Sequence, residues 1–334
     1  MPGVLGRAQP DGQLRPGLGE LVAEGFGEHV GVAGTARVEH EQDGIDGLGH
    51  TAHRSQVQRR DGCGTLAGMD LQLAGRRAIV TGGSRGIGLA TARALAAEGA
   101  RVALVARDPD RLAAAAASLR DAAAPEIITV SADSDDDAAV RAAVGTVVDR
   151  FGGIDVLVNA AARPAGSAPP PNLGSLTDDA VRAELETKLL GYLRFARAVA
   201  PLMTAQGWGR IVNVSGLNAR KSSTLVGSVR NVAVASMTAA LAAELGPHGV
   251  NVTVVHPGFT ETERTPALVD ARAAALGTDP ATARAGLDAT TTIGRITTAA
   301  EVADVITFLC SPRSVAINGD AVAAGGGTPG VTHY

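Results

Sequence analysis

Three glycines set the first chemical signal: Gly82, Gly86 and Gly88 stand in Thr81-Gly82-Gly83-Ser84-Arg85-Gly86-Ile87-Gly88. The strand-forming run Arg77-Ala78-Ile79-Val80 leads into them and an alanine-rich helical pattern follows. In a strand, turn and helix of this kind, Gly82 permits the tight turn, Gly86 lets the backbone approach a pyrophosphate, and Gly88 lets the helix close on the sheet. The bared N–H groups at the helix start then carry the partial positive charge that a phosphate requires. With Ser84, Arg85 and Ile87 filling the loop, the segment reads as a dinucleotide-phosphate site. A merely glycine-rich turn is the bland alternative, and the strand before and helix after speak against it.

The tip of the second strand decides which dinucleotide fits. Val102-Ala103-Leu104-Val105 ends at the small, neutral Ala106, followed by Arg107 and Asp108. An acidic residue at the tip would hold a ribose 2′-hydroxyl, whereas an arginine suits a 2′-phosphate. Arg107, with Arg85 converging from the glycine loop, therefore points to NADP(H) in preference to NAD(H), which stays possible. Asp108 reads in addition as the N-cap of the next helix.

Other reactive residue types are scarce. The only lysines are Lys188 and Lys221, and the only tyrosines are Tyr192 and Tyr334. His50, His53, Asp61 and Cys63 match no structural zinc spacing, so no metal site is expected. His256, at the end of a buried strand, reads as a structural histidine rather than a base. Arg220, Lys221, Ser222 and Ser223 read as a solvated loop, and Arg264 as a surface residue or an anchor for an anionic substrate.

The bulk properties exclude several classes. A net charge of −4 without a basic run argues against a nucleic-acid partner. Two well-separated cysteines form no disulfide framework, which suits a reducing cytoplasm. Nothing reads as a signal peptide or a membrane span.

The elements that must position these residues alternate between apolar strands and longer amphipathic segments from Met69 onward. The expectation is a single α/β domain over 69–334, a Rossmann-type doubly wound parallel sheet of about seven strands. These are placed near 77–81, 101–106, 126–131, 154–159, 209–215, 250–256 and 320–324. Two long helices are expected at 177–205 and 228–246. Arg163 to Pro171 is a proline-rich loop, and Gly258 to Thr297 an irregular stretch where a substrate lid would lie. Residues 1–68 show no sustained period and read as an N-terminal extension, disordered or arising from an upstream start.

The order of the glycine motif, then Asn159 after strand four, then Pro257-Gly258 after strand six resembles a short-chain dehydrogenase/reductase over about residues 70–327. The resemblance implies hydride transfer between a nicotinamide cofactor and a small carbonyl, alcohol or enoyl substrate. It places Asp133 and Ser134 beside the adenine, and Asn159-Ala160-Ala161 where the family has a second, better-kept motif. Pro257, Gly258 and Thr262 fall on the nicotinamide side. It also implies a homodimer or homotetramer, paired through the fourth and fifth helices.

One part of the pattern is missing. The family's proton donor is a tyrosine followed four residues later by a lysine, and the corresponding positions here hold Gly227 and Asn231. Ser215 matches the active-site serine. Lys188 stands where the fourth helix usually carries an asparagine, so lysine and asparagine are exchanged between helices. The resemblance thus assigns Ser215, Lys188 and Asn231 to the catalytic site. Against this stands an ordinary solvated Lys188, and, for the whole chain, a non-catalytic NADP(H)-binding regulatory or scaffold protein.

Overall fold

The computed structural model describes residues 69–120, 126–162, 172–221 and 224–330. The extension 1–68 with its histidines, the loop from Arg163 to Pro171, and Ser222-Ser223 lie outside the described residues.

The apolar runs become parallel strands, buried on both faces except at the edge strand β3, as crossover helices above and below require. They are β1 (Arg77–Thr81), β2 (Arg101–Ala106), β3 (Ile127–Ser131), β4 (Val156–Asn159), β5 (Gly209–Val214) and β6 (Val250–Pro257). Two-residue β7 (Thr260–Glu261) and β8 (Thr297–Thr298) pair only with each other, and β9 (Ala321–Ala324) closes the main sheet. The seven-stranded sheet runs β3-β2-β1-β4-β5-β6-β9, entirely parallel. The chain reverses its direction of growth between β1 and β4, and the carboxyl ends of those strands are where such sheets open a ligand crevice.

Helices α1 (Gly86–Ala97) and α2 (Pro109–Ala117) cover one face together with α9 (Ala299–Cys310), burying Leu95, Leu112 and Ile306. The opposite face carries α3 (Asp137–Phe151), α5 (Gly191–Ala205) and α6 (Leu225–Leu245), with Val140, Phe195 and Leu245 inside. Helix starts follow local chemistry. Asp108 caps α2 through the Arg111 N–H, and Thr298 and Glu301 form a reciprocal capping box on α9.

Three departures from the sequence expectation bear on the site. The long helix expected at 177–205 is α4 (Asp178–Leu185) joined to α5 by a π-helical turn, Glu186–Leu190. The extra residue of that turn brings Thr187 and Lys188 inward together, to 8 % and 6 % exposure. Within the supposedly irregular lid lie two helices, α7 (Thr265–Leu276) and α8 (Pro280–Asp288), each with proline at its start. Their small core of Val269, Ala273, Ala283 and Leu287 was too short to read as a period. Finally, a charge-poor stretch long and apolar enough to cross a membrane does occur, Leu225–His248, with mean hydropathy 1.4. It packs on β6 as a layer of the α/β fold, and its outer face exposes Leu225, Val229 and Val232.

Candidate active site

Local backbone geometry builds the phosphate end of the crevice. Gly82 has φ +67° and Gly86 has φ +54°, both in the left-handed region that glycine alone enters freely. A Cβ on Gly88 would stand 2.4 Å from the Gly82 carbonyl oxygen, so α1 can approach the turn only because that position lacks a side chain. Thr81, just before the turn, accepts the N–H groups of Ala160 and Ala161 at 3.1 and 3.2 Å on its hydroxyl. These two bonds hold the loop after β4 against the glycine turn. At the open N-terminus of α1, the Gly86 N–H donates to a carboxylate oxygen of Glu263 at 3.2 Å. An anion thus already lies where a phosphate would be favoured.

The crevice extends from this point as a cleft of about 860 Å³. Gly82, Ser84, Arg85, Gly86, Ile87 and Gly88 form its first wall, and Arg107, Asp133 and Ser134 its far end. Ala160 and Ala161 line the floor, while Pro257, Gly258 and Thr262 line the side toward the lid. Arg107 and Asp133 approach to 3.8 Å, both well exposed. The two residues assigned to different parts of a dinucleotide therefore sit side by side. The Ser131 hydroxyl donates to the Arg107 carbonyl at 2.9 Å and ties the tips of β2 and β3 together.

Asn159 corrects the sequence reading. Its side chain is fully buried behind the floor, donating to Asn213 Oδ1 at 3.0 Å and to the Tyr192 carbonyl at 3.4 Å, and it does not reach the cleft. Its amide nitrogen joins β4 to β5 and α5, while its Oδ1 is buried without a hydrogen-bond partner among the described residues.

At the inner end, Ser215, Lys188 and Asn231 come together from β5, the π turn and α6. Lys188 Nζ donates to the Ser215 carbonyl at 2.7 Å, and Ser215 Oγ donates to the Asn231 carbonyl at 3.1 Å. All three line the cleft. Lys188 is therefore not the solvated helix residue of the bland reading. Burial pushes its ammonium down to about 7, with the Arg230 guanidinium adding to the fall and the Glu184 carboxylate opposing it. Such a group exchanges a proton near neutral pH.

Two neighbours are ruled out as proton donors. The Tyr192 hydroxyl is buried, donates to the Val214 carbonyl at 3.0 Å, and has its pKa raised far beyond the ordinary phenol by desolvation. His256 is buried at the end of β6 and pushed down to about 4 by desolvation first, then by the charges of Arg220 and Lys188. It is a neutral structural histidine at physiological pH. At Gly227 a Cβ would meet the Thr224 hydroxyl at 2.3 Å, so a side chain there would have to displace it.

Sequence reasoning missed Arg230 and Glu263, both of which line the cleft. Arg230 directly precedes Asn231 and Glu263 directly follows Thr262, so their adjacency to assigned residues was the available signal. Arg284 ties the segment after β6 together, donating to Glu261 at 2.9 Å and to Asp288 at 3.2 Å.

Comparison with known proteins agrees with this geometry. The short chain dehydrogenase family profile matches residues 76–273. The short-chain reductase protein NovJ of Streptomyces niveus is 38 % identical over 253 residues, 75 % of this chain and 93 % of that protein. L-sorbose reductase from Gluconobacter frateurii, solved with NADPH and L-sorbose, superposes with a TM-score of 0.72 at 30 % identity, covering 79 % of this chain and all of that one. Actinorhodin polyketide ketoreductase with NADPH gives a TM-score of 0.71 at 31 % identity, over 77 % of this chain and 98 % of that one. The sheet order, the glycine cradle and the matched span agree: the chain belongs to the short chain dehydrogenase family.

Proposed function

We propose that the protein is an NADP(H)-dependent oxidoreductase acting on a small carbonyl, alcohol or enoyl compound, with Lys188 managing the proton in place of the family's tyrosine. The observation that carries this reading is Lys188 itself: a buried amine with a pKa near 7, facing the cleft that the glycine cradle opens. The cradle fits a dinucleotide, since side chains are excluded at Gly82 and Gly88 and the Gly86 N–H already donates to an anionic partner, the Glu263 carboxylate. Arg107 would take the 2′-phosphate, with Arg85 beside it. NADPH, when bound, supplies the hydride.

The chain's own residues then divide the remaining work. Lys188 holds a proton on Nζ, which the Ser215 carbonyl aims. Ser215 and Asn231, coupled through the Ser215 hydroxyl, fix the spacing of β5 and α6 around it. Reduction consumes that proton, so it requires Lys188 protonated and should slow as pH rises through about 7. Oxidation requires the neutral amine and should gain over the same interval.

The test is NADPH oxidation against a panel of ketones, quinones and enoyl thioesters. Lys188→Ala should lower turnover by about 10²–10⁴, the usual contribution of a positioned acid, while leaving NADPH affinity close to wild type. Turnover that survives the substitution would remove Lys188 from the mechanism. NADPH binding without turnover of any substrate would favour a non-catalytic role. Separately, the exposed stripe of Leu225, Val229 and Val232 on α6 supports a homodimer or homotetramer, which light scattering would measure.

A further inference from the structure

We propose that the Glu184–Arg230 ion pair is a positioning element for the reaction: it clamps α4 to α6 and holds the Lys188 amine and the Asn231 amide around Ser215. The inference rests on the proton role of Lys188 given above. Its geometry stands independently.

Glu184 lies at the end of α4, just before the π turn that carries Lys188, and Arg230 lies beside Asn231 on α6. Arg230 Nη1 donates to Glu184 Oε2, and Arg230 Nε reaches Asn231 Oδ1 at 3.4 Å. The pair therefore touches one exchanged residue directly and grips the helix end that presents the other. Its side chains are 18 % and 33 % exposed, so it is sheltered from full solvent screening, unlike an ordinary surface bridge. No neighbouring residue of α6 offers a second cation to Glu184.

The same pair acts on Lys188 through space with opposite signs. Arg230 disfavours the ammonium and Glu184 favours it, on top of the larger effect of burial. The other titratable groups around the site contribute little variable charge: Tyr192 on α5 stays a neutral phenol, and His256 on β6 stays neutral above about pH 4. Arg220, the remaining cation near His256, donates to the Ala321 carbonyl at 3.0 Å. Control of the Lys188 charge thus falls to two side chains that can be removed one at a time.

The chain has only two lysines, so the full-length protein labelled with ¹³C-lysine gives two side-chain resonances, assigned with Lys188→Met. Glu184→Gln should move the Lys188 titration to lower pH and Arg230→Gln to higher pH, each by about half a unit or more. Glu184→Asp and Arg230→Lys keep both charges and should leave it near the wild-type value. Shifts in one direction for both neutral variants, or none in either, would overturn the proposal; a variant that fails to fold leaves its charge-conserving counterpart and the other arm to decide. The pH profile of NADPH oxidation, measured with the best substrate of the panel, separates the two readings. A profile that follows the resonance supports both, whereas opposite resonance shifts with an unmoved profile would refute the proton role of Lys188 and with it the pair's part in the reaction.

Discussion

Replacing Gly88 with alanine tests the cofactor cradle without reference to catalysis. The added Cβ would lie 2.4 Å from the Gly82 carbonyl oxygen, 2.8 Å from its carbon and 3.2 Å from the Gly83 nitrogen. All three atoms are backbone, so no rotamer change relieves the contact, and the start of α1 must retreat from the turn by about 1 Å to regain ordinary van der Waals separation. Overpacking of this kind costs about 1–3 kcal/mol, and a domain of this size loses about 2–4 °C of Tm for each. The retreat also takes the Gly86 N–H out of line with its anion, and a lost charge-assisted bond of about 1.5–3 kcal/mol means about 10- to 100-fold weaker NADPH binding. Gly145 in α3 is the control, since its Cβ would meet nothing within 4 Å. There the substitution should stabilise by about 0.5–1 kcal/mol through helix propensity and leave binding unchanged. Fluorescence titration of NADPH and thermal melts of the three proteins suffice. Wild-type affinity and Tm in Gly88→Ala would refute the close-packing argument.

Arg107→Ala should weaken NADPH about 10- to 100-fold while leaving NADH within about threefold, because only the former carries the 2′-phosphate; equal losses for both cofactors would reassign Arg107. Glu263→Gln removes a carboxylate that sits on the Gly86 N–H and competes with phosphate, so NADPH should bind about fivefold tighter, from about 1 kcal/mol of relieved repulsion at water-like screening. The gain should shrink in high salt, and weaker binding in the variant would contradict it. Stability should also report Lys188. Its value falls from 10.5 to about 7 on folding, so between these pH values the unfolded chain holds more protons and stability rises with pH across that window. Lys188→Met should lack this part of the rise, and parallel curves of Tm against pH for the two proteins would show that the amine is not desolvated.

The elements that follow from local chemistry were legible in the residues. Val102 to Ala106 makes a parallel strand because five apolar residues can only be buried on both faces, and Asp108 starts a helix because its carboxylate caps the next turn. Gly82, Gly86 and Gly88 announce a phosphate cradle because their spacing expresses backbone conformations within one short segment. The short helices α7 and α8 were missed, since a few Val, Ala and Leu residues are too few for a period to rise above an alanine-rich background. Asn159 was misplaced for another reason: residue type cannot say whether an amide at a strand end turns toward the cleft or back into the sheet, and the partner Asn213 lies 54 positions away. Lys188 shows the division most clearly. Sequence spacing brought it to notice, but its proximity to Ser215 and Asn231, its burial and its lowered proton affinity exist only because the π turn rotates it inward. Arg230 and Glu184, 46 positions apart, meet only when α4 packs on α6. Fold class and cofactor cradle were set by short-range pattern; the electrostatics of the inner end of the cleft were decided by the packing of helices distant in the chain.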